Sequence, residues 1–512
     1  MSSLKKSGII IVILSLFVKL IGFLRESIIA KQFGASAITD GYLIAFSVVT
    51  LVVIMTSEGF NSVFLPLFLK EKQKKNEAAS MKTASGLLNR MIVGLLTLTI
   101  IMYVLIPFLI PLLFRNTPEE TVMIIIELTQ FFTLFLTLIS LNGMFESYLQ
   151  AYRSFIPTQI ARLLATVTAV VFALLFADIW GIYSLAYGFI TGTFLGILCQ
   201  LYFLIGKYKF KYSLSFSINP TFKQQFLALF FPAILSAVVG QINVLVDKIF
   251  SSGTMKGAVT YLNNSSLLIS IPNAIFASTI VAIIFTLLSE QTGQLKEFQN
   301  IFSRGIKITA LLLMPITAGF IVLGLPLIQF VYERGAFSHN DSLQTLQAFY
   351  VYLPLILIQG FQYIVLKAMY AKGQTKIIFF LSSITIILNI IFNYFFVQWF
   401  GYLGTALSST LIAFFFLLSS TRILTREFEA GQMLVNSKII VRSMIPALFM
   451  GIPLYFMQQL HTFEQMAPLL NMMITGILGV ILYLIGLRYF YKDGFLEVIE
   501  LVPTRLRNKI IR

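Results

Sequence analysis

The chain has 512 residues, of which 58% are hydrophobic and 11% charged, with a formal net charge of +16. Soluble domains carry about a quarter charged residues, so this composition cannot cover a water-facing surface, and a soluble enzyme is excluded. Short alternating strands are absent, which excludes an outer-membrane barrel. Apolar runs long enough to cross a bilayer recur from end to end. They predict an all-α polytopic membrane protein of about fourteen transmembrane helices, starting near residues 7, 38, 84, 121, 156, 181, 224, 257, 304, 342, 376, 402, 438 and 466.

The first predicted span follows Lys5 and Lys6 without a small-residue cleavage site, and so reads as a retained helix rather than a signal peptide. It carries Lys19 near its middle and Arg25 six residues on, with Glu26 beside it. A six-residue step turns a helix by about 240° after full turns, so Lys19 and Arg25 do not share a narrow face. A lone charge in the bilayer centre costs about 3 kcal/mol, so it faces a cavity or a partner. Two readings stand for Arg25 and Glu26: a lining of one wide cavity, or a structural ion-pair network. The second span is long and holds Asp40, Gly41, Glu58, Gly59 and Pro66, which predicts a bent, cavity-lining helix; alternatively Glu58 caps a broken half-helix.

The single Cys199 falls in the sixth span, and with two histidines in the whole chain neither a disulfide framework nor a Cys- or His-based metal centre is expected. The segment "GKYKFKYSLSFSINPTFKQQ" is polar and cationic, as a linker between lobes should be. The seventh span carries Asp247 and Lys248 in "GQINVLVDKIF". In the eleventh, Asn389 and Asn393 stand four apart and so face one way, and "GTALSST" opens the twelfth. These oxygens with one carboxylate suit Na⁺, or a proton on Asp247; hydrogen bonding between the Asn amides is the alternative. After the last span, "YKDGFLEVIELVPTRLRNKIIR" reads either as a short interfacial helix or as a solvated basic tail.

Two stretches about 220 residues apart resemble each other: "NGMFESYLQAYRSFIPTQ" with "IWGIYSLAYG", and "QGFQYIVLKAMYAKGQTK" with "WFGYLGTALS". Each has a glycine (Gly143, Gly360), an aromatic (Tyr152, Tyr370), a short basic turn and an aromatic–glycine pair (Trp180-Gly181, Phe400-Gly401). A duplicated six-helix unit follows, and because six is even the copies enter the membrane in the same direction as parallel repeats. The expected organisation is an N-terminal lobe over 1–210, a second lobe over 211–430, and an appended helix pair with a tail over 431–512. Paired lobes around a cavity are the architecture of a secondary transporter. With the N-terminus inside, 30 of the 37 Lys and Arg fall on the inner side, which predicts both termini in the cytoplasm. The basic balance is therefore topological, and a nucleic-acid partner is not expected. No Walker loop, nucleophile elbow or metalloprotease signature is present in the sequence, so an enzyme is not expected.

The segments "GFLRESIIAKQFGASAITDGYLIAF…SEGFNSVFLPLF", "QINVLVDKIFSS", "VYERGAFSHNDSLQT" and "KAMYAKGQTK…LNIIFNYFF…FGYLGTALSS" resemble the MurJ/MviN family of lipid II flippases, within the multidrug/oligosaccharidyl-lipid/polysaccharide exporter superfamily. The resemblance implies fourteen helices in two lobes, a last pair shaping a groove for a polyprenyl tail, and a place in the bacterial inner membrane among membrane lipids. It implies a polyprenyl-diphosphate-linked saccharide as substrate and alternating access as mechanism. Carried over by position, Lys19 and Arg25 would hold the diphosphate and Asp40 and Glu58 would reset the cationic cavity. Two departures stand out: the family's basic pair in the second span falls on Val53 and Ile54, and its arginine in the eighth falls near Leu267. Lys248 and Lys256 are the candidate substitutes. The family's Na⁺ site maps onto Asp247, Asn389, Asn393, Thr405 and Ser409, with Asn393 in place of an acid; the coupling ion is Na⁺ or H⁺. The depleted cations leave open an exopolysaccharide precursor as cargo in place of lipid II. The other readings are a drug/cation antiporter of the same superfamily and a non-transporting scaffold for envelope-synthesis proteins.

Overall fold

The computed structural model describes residues 2–74, 77–429 and 431–500 and is helical, with no strand among them. By packing, the chain forms two compact units: residues up to Thr260 with Arg334–Phe337, and Tyr261–Glu333 with Ser338 onward. The lobes 1–210, 211–430 and 431–512 are a division by sequence likeness.

The first unit contains α1 (Ser2–Phe33), α2 (Ala37–Lys74), α3 (Glu77–Leu113), α4 (Glu119–Leu134), α5 (Leu136–Ala151), α6 (Ile156–Trp180), α7 (Tyr183–Leu201) and α8 (Pro220–Ser252). Its axis is α2, which packs on α4, α5 and α8. One half of α2 supplies Tyr42, Leu43, Ile44 and Val49 to a core with Ile125, Leu128 and Phe132 of α4. The other half presents Phe60, Phe64 and Phe68 at the four-residue spacing that aligns side chains on one helix face. Their rings stack at 4.7 and 5.1 Å, and Tyr148 of α5 closes on Phe64 at 4.4 Å. The second span is therefore one 38-residue helix running through Glu58, with Pro66 inside it, and the broken half-helix is not formed. The break lies instead at Phe135, where α4 and α5 meet at 53°.

The second unit contains most of α9 (Ala258–Phe276), whose first turn belongs to the first unit, then α10 (Ala282–Glu290), α11 (Leu295–Tyr332), α12 (His339–Tyr352), α13 (Leu355–Ala371), α14 (Thr375–Phe400), α15 (Tyr402–Leu424), α16 (Gln432–Gln458), α17 (His461–Glu464), α18 (Pro468–Phe490) and α19 (Lys492–Glu500). A π-helical segment, Ala277–Val281, joins α9 to α10, so the two run as one apolar stretch. The long α11 is the hub, packed on α12, α13, α16, α18 and α19. Of the C-terminal segment's two readings, Lys492–Glu500 forms a helix, and 501–512 lie outside the described residues. Glu497 of α19 takes ion pairs from Arg304 at 2.7 Å and Lys307 at 3.1 Å. Burial raises the Glu497 carboxyl, but those two cations more than offset it and hold it below its ordinary value.

Twelve helices among the described residues are long and apolar enough to cross a membrane, or thirteen with the bent α4–α5 pair counted as one span. Their starts lie close to the predicted ones. The span expected from about residue 7 falls on α1, many of whose early side chains lie outside the described residues, and it is not among the thirteen.

The duplication is visible in the backbone. Gly181, between α6 and α7, has φ 53° and ψ −139°; Gly401, between α14 and α15, has φ 57° and ψ −141°. Both sit where glycine alone is at ease. The turns before these hairpins also correspond, but Gly373 (φ 71°) in one copy is matched by Arg153 (φ 56°) in the other. An L-residue in that region costs about 1 kcal/mol or more. Arg153→Gly is therefore expected to stabilise the protein by up to about 1 kcal/mol, seen as a higher unfolding temperature in detergent, with Gly373→Ala moving the opposite way.

Candidate functional site

The charged residues of α1, α2 and α8 assemble in the first unit. The Arg25 guanidinium donates from Nε to Glu26 Oε1 at 3.1 Å and also pairs with it through Nη2. It lies 5.6 Å from the ring centre of Phe46 on α2, a cation–π distance. Glu26 is 4% exposed, while the Arg25 side chain keeps 21% of its surface open. Of the two readings of this pair, the ion pair is thus formed, with the arginine on its open side. A guanidinium has five N–H donors, and Glu26 takes only Nε and one Nη group.

Asp40, in the first turn of α2, accepts from the backbone N–H of Gly257 at 2.8 Å, from the N–H of Thr260 at 2.9 Å and from the Thr260 hydroxyl at 2.7 Å. Those groups open α9, so a carboxylate from another helix supplies the acceptors and the negative charge that a helix N-terminus lacks. Lys248 of α8 donates to the Leu43 carbonyl at 2.7 Å and to Ser47 Oγ at 2.6 Å, both on α2. It lies within electrostatic reach of Glu26, Asp40 and Arg25. Two cations and two carboxylates thus balance inside an apolar unit. Balance explains how these charges are tolerated, and the open side of Arg25 leaves it the means to meet an anion.

The remaining predicted positions are more dispersed. Lys19 is exposed on α1. Glu58 lies on the other half of α2, on a small polar cavity whose wall also includes Val53 and Ile54. Lys256 is held in an exposed ion pair with Glu120 at 3.0 Å, and Leu267 is half-buried on α9. Asn389 and Asn393 are both buried on α14, with Thr405 buried and Ser409 half-buried on α15, all in the second unit. Asp247 is on α8 in the first. Sequence reading missed Ser47, Phe46 and Thr260, and nothing in the sequence pairs Lys248 with a serine 201 positions away.

A second feature is an apolar cavity of about 370 Å³ in the second unit, walled by α11, α16 and α18 with Pro315, Gly319, Met450, Gly476, Gly479 and Tyr483 among its lining. Glycines on α11 and α18 open the wall, and Tyr483 turns its polar end away by donating to the Leu311 carbonyl at 2.7 Å. What remains facing the cavity suits a hydrocarbon chain.

A family model described as "Lipid II flippase MurJ" matches residues 29–474. The chain belongs to that family. A relative named "Probable lipid II flippase MurJ" from Buchnera aphidicola subsp. Acyrthosiphon pisum is 26% identical over 511 residues, covering 97% of this chain and 98% of the relative. Another of the same name from Thermotoga maritima is 27% identical over 405 residues, 77% of this chain and 80% of its own. The solved structure "Lipid II flippase MurJ, inward closed conformation" aligns with a TM-score of 0.80 at 25% identity, over 95% of this chain and 99% of that one. An inward-facing multidrug MATE transporter of the MOP superfamily aligns at 0.65 with 14% identity over 80% of this chain and 95% of its own, a likeness of fold alone. The chain is accordingly a multi-pass membrane protein of the MurJ family.

Proposed function

We propose that this protein moves a polyprenyl-diphosphate-linked saccharide, lipid II or a related envelope precursor, across the bacterial cytoplasmic membrane by alternating access. Membership of the MurJ family over residues 29–474 carries the reading. The local chemistry supports it: Arg25 keeps an open side in an otherwise apolar unit, and the cavity between α11, α16 and α18 suits a prenyl tail. Lys19 and Arg25 meet the diphosphate. Lys248 adds positive charge beside Leu43 and Ser47, and Val53 and Ile54 supply none at the Glu58 cavity. Asp40 holds the first turn of α9 through Gly257 and Thr260, and Glu58 serves the return of the unloaded state. Both termini lie in the cytoplasm by the distribution of Lys and Arg. Na⁺ at Asn389, Asn393, Thr405 and Ser409 of the second unit, or H⁺ on Asp247 of the first, biases the cycle.

Complementation in cells depleted of their own lipid II flippase tests this. The wild-type chain is expected to restore growth, and a Lys19→Ala/Arg25→Ala double variant, present in the membrane at equal level, is expected to fail. Rescue by both variants alike would remove the two cations from the mechanism. Failure of well-expressed wild type would assign the transporter to a different lipid-linked glycan.

A further inference from the structure

The cavity beside Glu58 belongs to the first unit and is an open recess lined by residues of α2, α5, α6 and α7, near the α5–α6 turn, with Glu58 exposed at its mouth. Its volume is about 180 Å³. Three of its oxygens are buried with no hydrogen-bond partner among the described residues: Asn142 Oδ1, Thr158 Oγ1 and Gln200 Oε1. Gln200 is 1% exposed and Thr158 2%, so neither is an amide or hydroxyl that reaches bulk water. Buried polar atoms are nearly always satisfied, and three orphaned acceptors on one wall point to something that they bind. Four different helices contribute, so no local turn accounts for the convergence.

The charges on the wall identify the class of occupant. Arg162 forms a two-pronged pair with Glu146, with both Nη2–Oε distances at 2.8 Å, and that pair is neutral. Among the described residues Glu58 has no such cation, and the cavity is left with one negative charge facing neutral oxygens. One carboxylate with amide and hydroxyl oxygens is a donor set for a hard cation. A divalent ion asks for several carboxylates, or for octahedral geometry around a well-hydrated centre, and one net charge suits a monovalent ion. A volume of about 180 Å³ has room for such an ion with a few waters, since a water takes about 30 Å³. We propose that Glu58, Asn142, Thr158 and Gln200 form a binding site for a monovalent alkali cation in the first unit, separate from the polar positions of α14 and α15.

Consequences follow for the helices. A cation there draws oxygens of α2, α5, α6 and α7 together, and its loss leaves the Glu58 carboxylate without a counter-charge. The site therefore ties the second half of α2 to the bundle in proportion to the alkali cation present.

Saturable binding of ²²Na⁺ to the purified full-length protein in nanodiscs, with K⁺ and choline as competitors, tests the site whatever the transported lipid is. Wild type is expected to bind Na⁺ saturably. Glu58→Gln, which removes the charge and keeps the shape, is expected to weaken binding by about tenfold or more, and Gln200→Leu by a similar factor. Gln200→Glu combined with Glu58→Gln is expected to restore it. Asn389→Ala, in the second unit, should leave this component of binding unchanged. Size-exclusion profiles of the variants identify misfolding, and the isosteric Glu58→Gln carries the test if Gln200→Leu fails to fold. The proposal is overturned if folded Glu58→Gln binds Na⁺ as tightly as wild type, if no saturable binding exists, or if Asn389→Ala alone abolishes all of it.

Discussion

Replacing Asp40 with alanine is expected to cost about 3 kcal/mol of stability and to free the first turn of α9. The carboxylate is 2% exposed and is the acceptor for two backbone N–H groups and one hydroxyl. Alanine leaves Gly257 and Thr260 with buried donors facing a methyl group, and removes the negative charge from the helix N-terminus. Asp40→Asn keeps one acceptor oxygen but turns an NH₂ group toward N–H donors, so an intermediate loss is expected. Amide hydrogen exchange at Gly257 and Thr260 reads the effect locally: about a hundredfold faster exchange in Asp40→Ala, with distant helices such as α18 unaltered. Unchanged protection at these two amides would show that the carboxylate does not cap α9. Because the same residue stands in the charged cluster of α1 and α8, transport should fall with the loss of protection, even though Asp40 need not touch the lipid.

Gly192→Leu is expected to disrupt the α6–α7 hairpin outright, with poor recovery of folded protein. Along α7, Gly188, Gly192 and Gly196 recur every four residues and face Ala161, Ala165 and Ala169 of α6. In a bilayer such stripes of small residues let backbones approach, and close packing takes the place of the hydrophobic drive available in water. A Cβ on Gly192 would meet the Ala165 Cα at 2.6 Å and overlap the Thr168 hydroxyl and the Leu164 carbonyl. Backbone atoms cannot swing aside, so even Gly192→Ala must part the helices, and overpacking of this kind costs about 1–3 kcal/mol. Gly94, on α3, is the internal control: nothing lies within 4 Å of its Cβ position, so Gly94→Ala should be neutral or stabilising by up to about 1 kcal/mol. The amount of monodisperse protein after detergent extraction and its unfolding temperature distinguish the three. Equal behaviour of Gly192→Leu and Gly94→Ala would mean that the hairpin is not held by close backbone contact.

Much of this fold was legible because a membrane leaves a helix few options. Hydropathy places helix starts near Ala37, Ile156, Tyr183, Thr375 and Tyr402 because each run must bury about 20 residues and then reach water. The repeat was legible in Trp180-Gly181 and Phe400-Gly401, since a corner needing positive φ preserves its glycine. The bend at Phe135 was not: no proline or glycine lies at it, and the break is set by what α4 and α5 each pack against. Gly41 and Gly59, which mark a bend in α2 from the sequence, also allow close contact, Gly41 against Ile124 and Gly59 against Ile234. Among the charges, sequence singled out Arg25, Asp40 and Lys248 because they are anomalous in an apolar run. Their partners were hidden, because Thr260 and Ser47 are ordinary residues whose importance comes from folding across more than 200 positions.

The twin corners at Gly181 and Gly401 bear on how the two copies have aged. Counting outward from them, Gly188, Gly192 and Gly196 in one hairpin correspond to Ser408, Ile412 and Phe416 in the other. The corner has been kept while these three positions have changed to a serine, an isoleucine and a phenylalanine. In the first copy the seam is backbone against backbone, which has no soft side chains to compress, so that hairpin behaves as a single stiff strut. In the second copy the close approach lies nearer the corner, where a Cβ on Gly404 of α15 would overlap the backbone of Phe396 and Val397 of α14. One backbone pattern has thus yielded two hairpins clasped at different distances from the same corner.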